Sequence, residues 1–184
     1  THYALRITFH AGMESNITTV LSLSAKELIE TLQSRYYRLG ILPISPDTDE
    51  ERLAKQVVQS CGGISLNVGL TLSERLMEIP MSQRPLRTPI ELGALLPKTP
   101  CAVVLYHLPL LFHPELQTNG FRLLLQLSRN MPMIALLCCR YNDRVIWYAT
   151  PGHPEYQQHT IEDVYLISPR EAVALGWEEC DEIS

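Results

Sequence analysis

Long apolar runs are the first thing this chain lacks. No stretch approaches the ~20 residues that a membrane-spanning helix needs, and the opening residues hold no unbroken apolar segment of the secretory kind. The expected location is therefore the cytoplasm. Cysteine is scarce: Cys61, Cys101, Cys138, Cys139 and Cys180 make five, with no C-x-x-C spacing among them. A zinc knuckle or a redox dithiol has no support in that pattern, so the thiols read as small, reduced core side chains. Positive charge is in deficit, with 15 Lys and Arg against 20 Asp and Glu, a net of −5. That balance gives no general attraction to nucleic acid or to an anionic membrane. Nucleophile elbows, paired catalytic carboxylates and glycine-rich dinucleotide fingerprints are missing as well, as are repeats and low-complexity linkers.

What is present describes a globular protein. Of the 184 residues, 46% are hydrophobic and 19% charged. That length suits one domain over residues 1–184 and buries about 70% of the unfolded surface. Residues 1–12 precede the first methionine, Met13, and alternate Tyr3, Leu5, Ile7 and Phe9 at strand period; they read either as an extra native strand or as a vector-encoded extension. Residues 177–184 read as a flexible tail.

Four hydroxyl residues followed three positions later by Glu signal helix starts: Ser24 with Glu27, Thr48 with Glu51, Thr71 with Glu74, and Ser168 with Glu171. A further helix is expected over 114–128. Between them, residues 39–44, 64–70, 102–108, 133–139, 145–149 and 164–167 are apolar runs of strand length. Nearly continuous apolarity is what a strand needs when helices cover both of its faces. Strands alternating with helices predict an α/β domain whose mostly parallel sheet is flanked by helices in three layers. The polar, proline-bearing stretch 80–89 reads as an exposed loop.

RLGILPISPDTDEERLAK follows the order strand, short loop, helix, which is the setting of a phosphate-binding P-loop, G-x-x-x-x-G-K-[ST]. In a working loop the glycines let backbone N–H groups wrap the phosphates, the lysine reaches the terminal phosphates, and the hydroxyl holds Mg²⁺. On that frame this chain has Ile44, Ser45, Pro46, Asp47, Thr48, Asp49, Glu50 and Glu51. Ile44 and Asp49 stand at the glycines, Glu50 at the lysine and Glu51 at the hydroxyl. Unit charges ~4 Å apart near a protein surface interact by about 4 kcal/mol, so the exchange at Glu50 turns an attraction of that order into a repulsion. The acids also supply the negative charge that a helix N-terminus would otherwise draw from a phosphate. A rival register over 11–18 has one glycine and again no lysine.

A second nucleotide feature is absent too. A Walker-B strand is an apolar run ending in Asp, whereas Ala102, Val103, Val104 and Leu105 lead to Tyr106 and His107.

Three longer stretches carry a resemblance: SLNVGLTLSERLMEIPMSQRPLRTPIEL, AVVLYHLPLLFHPELQTNGFRLLLQLSRN and YATPGHPEY. Together they resemble BrxF, the small P-loop protein of type 3 BREX phage-defence systems, over roughly residues 35–167. The resemblance implies a P-loop NTPase-like fold and a part in antiviral defence. It does not carry over ATP hydrolysis, because the residues for it have departed at both motifs. The expectation is a pseudo-ATPase with no cofactor and no metal, kept for contacts with protein partners or with itself.

The remaining candidates are weaker. His107 with His113, and His153 with His159, are each six apart, which suits neither helical nor strand ligation. Arg129 and Asn130, between a helix and an apolar run, are candidates for an edge contact in trans, against the plainer reading of a solvated helix end. Arg84 and Arg87, with Arg75 and Lys98 nearby, are candidates for nucleic-acid contact, although no aromatic side chain lies between Arg75 and Lys98 to stack on a base. Two alternatives to the pseudo-ATPase follow: an atypical ATPase completed by a partner or oligomer, and a DNA-binding accessory protein.

Overall fold

The computed structural model describes residues 24–177; the alternating stretch 1–12, the rival register 11–18 and residues 178–184 lie outside them. Helix α1 (Ala25–Ser34) leads into β1 (Leu39–Pro43), then α2 (Glu50–Cys61), β2 (Ile64–Asn67), α3 (Val68–Met77) and α4 (Arg84–Leu95). After β3 (Val103–Tyr106) come α5 (Gly120–Ser128) and β4 (Met133–Leu137). The short strands β5 (Arg140–Tyr141), β6 (Val145–Tyr148) and β7 (Gln157–Thr160) precede β8 (Tyr165–Leu166) and α6 (Pro169–Ala174).

Five strands form one sheet in the order β2-β3-β4-β1-β8, and every pairing in it is parallel. Side-chain alternation sends Leu39, Ile41, Val103, Leu105, Met133 and Ala135 to one face, where α3, α4 and α5 supply Leu72, Leu92 and Phe121. Leu42, Val104, Ile134 and Leu136 point to the other face and meet Leu28 of α1, Leu53 and Val57 of α2, and Ala172 of α6. The sheet is thus flanked by helices on both faces, the three-layer α/β arrangement expected from the nearly continuous apolar runs.

Several expected boundaries move, each for a local reason. Capping boxes form at Ser24 with Glu27 and at Ser168 with Glu171. Thr48 does not cap: a turn closed by Thr48 N–H to the Ser45 carbonyl delays helix entry by one residue, and the Asp49 carboxylate accepts from Arg52 N–H. Thr71 does not cap either. Asn67 takes that role, the strand expected to reach residue 70 ends at Asn67, and the Thr71 hydroxyl donates back to the Asn67 carbonyl. The helix expected over 114–128 begins only at Gly120, since Gln117 adopts a left-handed backbone (φ 46°) and Asn119 caps the turn after it.

The expected loop over 80–89 is mostly helical. A 3-10 turn, Met81–Gln83, feeds α4, whose first turn accepts Pro85 without losing a bond. Burial of Thr88, Glu91 and Leu92 outweighs the interior Pro89. Residues 145–148 join a separate antiparallel sheet, β5-β6-β7, instead of the main one. Trp177, read with the tail, is 1% exposed and donates from Nε1 to Ser60 Oγ at 2.7 Å. Trp177→Ala is expected to destabilise the protein by about 3–5 kcal/mol in urea unfolding; a loss under about 0.5 kcal/mol would mean the residue is loose in solution.

Candidate functional site

The chain leaves the carboxyl end of β1 toward β2 and leaves the carboxyl end of its neighbour β4 toward β8, on the opposite side. Adjacent strands whose connections diverge open a crevice beyond the strand ends, and in open α/β sheets ligands settle there. The turn carrying Ile44 to Asp49 borders that crevice. So do Tyr106 and His107 after β3, and Cys138 after β4.

Ile44 is a core residue, 1% exposed, with its N–H bonded to the Leu137 carbonyl. Ser45 and Thr48 close the turn, Pro46 and Asp47 are exposed at its tip, and Asp49 caps α2. Glu51 turns outward to Lys55 at 2.6 Å. Glu50 turns inward. Its Oε2 accepts the His107 backbone N–H at 2.6 Å, and its Oε1 lies 3.5 Å from His107 Nδ1. Four carboxylates between Asp47 and Glu51, with Arg52 and Lys55 beside them, leave a local net charge of −2.

His107 is held in a left-handed conformation, φ 54°, which costs a non-glycine residue about 1–3 kcal/mol unless its surroundings enforce it. Two contacts do so. One is the Glu50 carboxylate. The other is the first turn of α3, where Gly69 lets the backbone come close: a Cβ there would sit 3.0 Å from the His107 carbonyl oxygen. The acidic turn after β1 and the residues that follow β3 are therefore tied directly to each other.

Two described groups near the crevice are shifted toward their neutral forms. Burial, reinforced by the Glu50 charge, pushes the Cys138 thiol up, away from the thiolate a nucleophile needs. Tyr148, stacked on Phe112 at 4.0 Å, is pushed up to about 12 by burial and then by the Glu155 carboxylate. Among the described residues no three His, Cys, Asp or Glu side chains converge to hold a metal. His113 and His153 each accept a backbone N–H two residues on, from Glu115 and Glu155, and His159 pairs with Asp163 at 2.9 Å.

The other sequence candidates lie elsewhere. Arg84 donates to the Ile79 carbonyl, and Arg87 and Arg75 both engage the largely buried Glu91, at 2.6 and 3.5 Å. Arg129 and Asn130 sit at the amino ends of β1 and β4, opposite the crevice, where Arg129 covers the Tyr36 ring at 4.8 Å. The Glu50–His107 bond was not anticipated from sequence. Its only signal there is an acid where the P-loop frame would put a lysine, and sequence does not name the partner 57 residues away. No family model, curated protein or solved structure matches this chain. Among the described residues, no helix is long and apolar enough to cross a membrane.

A carboxylate bonded to a backbone N–H is worth about 1.5–3 kcal/mol. Glu50→Ala should therefore destabilise the fold by about that amount in urea unfolding, because it orphans the His107 amide and frees a strained residue. Glu50→Gln, which keeps an acceptor oxygen, should cost less than half as much. Equal losses for the two would show that the oxygen is not what matters.

Proposed function

We propose that this chain is a pseudo-ATPase: a P-loop NTPase-like domain whose nucleotide crevice is closed from within, serving as a structural or interaction subunit of an antiviral defence assembly. One observation carries the first half of that reading. The Glu50 carboxylate spans from the first turn of α2 to the backbone of His107, linking by itself the two places that a nucleotide and its metal would otherwise link. A polyphosphate entering there would displace a charge-assisted bond and meet a net negative turn in place of a lysine. The parallel sheet order and the position of the turn at the diverging connections support the P-loop-like reading.

The interaction role draws support from a different surface. Met77, Met81, Leu86 and Ile90 of the α3–α4 hairpin are 58–79% exposed, a concentration of large apolar side chains of the sort that contacts proteins. The defence setting rests on the resemblance to BrxF alone.

Calorimetric titration with Mg-ATP and with Mg-GTP tests the reading. No saturable heat is expected at millimolar nucleotide. A dissociation constant in the micromolar range for either would contradict the proposal and favour an atypical ATPase.

A further inference from the structure

Away from the acidic crevice, at the amino ends of β1 and β4, lies a groove of about 730 Å³ lined by Gln33, Arg35, Tyr36, Arg38, Arg129 and Asn130, among others. Ser34 and Gln126 complete its lining, so among the described residues the groove holds three arginines and no carboxylate. In a chain of net charge −5, that segregation gives the molecule an anion-attracting end opposite its acidic one.

The arginines are held in place without being neutralised. Arg35 donates to the backbone carbonyls of Glu162 and Val164, at 2.9 and 3.1 Å. Arg38 reaches the Asn130 carbonyl at 3.5 Å, and its Nε is buried with no hydrogen-bond partner. Arg129 lies over Tyr36. Tyr36 is braced edge-on by Tyr37, ring centroids 4.8 Å apart, yet is 65% exposed. A neighbouring hollow of about 440 Å³ shares Gln126 and adds Arg122, so the basic track continues past the first groove. The one acid lining that hollow, Asp163, is engaged by His159.

We infer that this groove binds single-stranded nucleic acid, with Arg35, Arg38 and Arg129 on the phosphodiester backbone and a base against the Tyr36–Arg129 platform. Backbone-tracking arginines interleaved with an exposed aromatic ring, and amide side chains alongside, make the combination that holds unpaired strands. The volume lies within the roughly 300–1,000 Å³ of small-ligand sites, enough for a nucleotide unit. The face differs from that of Arg84 and Arg87, whose helix offers no aromatic platform. The inference does not rest on the closed crevice.

Fluorescence anisotropy with a labelled oligothymidylate of about twelve nucleotides tests it, against a hairpin duplex and a polyglutamate peptide. Binding with a dissociation constant of about 1–100 µM at low salt is expected, with a log–log salt slope of about −2 for three phosphate contacts. Arg129→Glu and Tyr36→Ala should each weaken it at least fivefold, as the loss of a stacked base would, with circular dichroism unchanged. Lys26→Ala, which alters an exposed cation paired with Glu30, should have no effect. The inference is overturned by absence of binding, by binding indifferent to both groove variants, by equal affinity for the duplex, or by polyglutamate binding as tightly as the oligonucleotide.

Discussion

The Glu50 carboxylate does three jobs at once. It places negative charge in the first turn of α2, where the helix dipole favours it. It accepts the His107 N–H, satisfying a backbone donor just past the end of β3. By doing so it holds His107 in a left-handed conformation against the first turn of α3, where Gly69 permits a close approach that a Cβ would crowd. Three pieces of the sheet's carboxyl edge, those following β1, β3 and β2, are thereby fastened by one side chain. A lysine at position 50 could do none of this without an anion between it and the backbone.

From that fastening follows the character of the crevice. In an open parallel sheet the diverging connections of neighbouring strands leave a gap that is a natural ligand site. Here the gap is bordered by acids, by the surface thiol of Cys138, raised by partial desolvation and the Glu50 charge, and by the half-buried Tyr148, raised in the same direction. The acids repel a polyanion, and the protonated thiol and phenol offer it no positive charge. Arg35, Arg38 and Arg129, which pair with no carboxylate among the described residues, gather at the other end of the strands.

Much of the scaffold is written locally in the sequence. The runs at β1, β3 and β4 are apolar on both faces because helices cover both, and the Ser24 and Ser168 boxes cap as their spacing foretells. Errors arise where two acceptors compete for one helix end. Asp49 displaces Thr48 and Asn67 displaces Thr71, and periodicity does not rank those acceptors. Pro85 and Pro89 suggest a loop, yet docking of α4 against α3 buries Leu92 and overrides them. The acidic turn was legible residue by residue. Its partner was not, because the Glu50–His107 contact depends on strand order, and neither was the groove, assembled from the end of α1, the approach to β1 and the end of α5.

The amide proton of His107 reports most directly on the central interaction. In a nitrogen–proton correlation spectrum it should lie far downfield and exchange slowly with solvent. It should remain unmoved by Mg-ATP, and it should lose its protection in Glu50→Ala while the core amides of β1 and β4 keep theirs. An amide that exchanges as fast as an exposed loop in the wild-type protein, or one that shifts on adding Mg-ATP, would contradict the account.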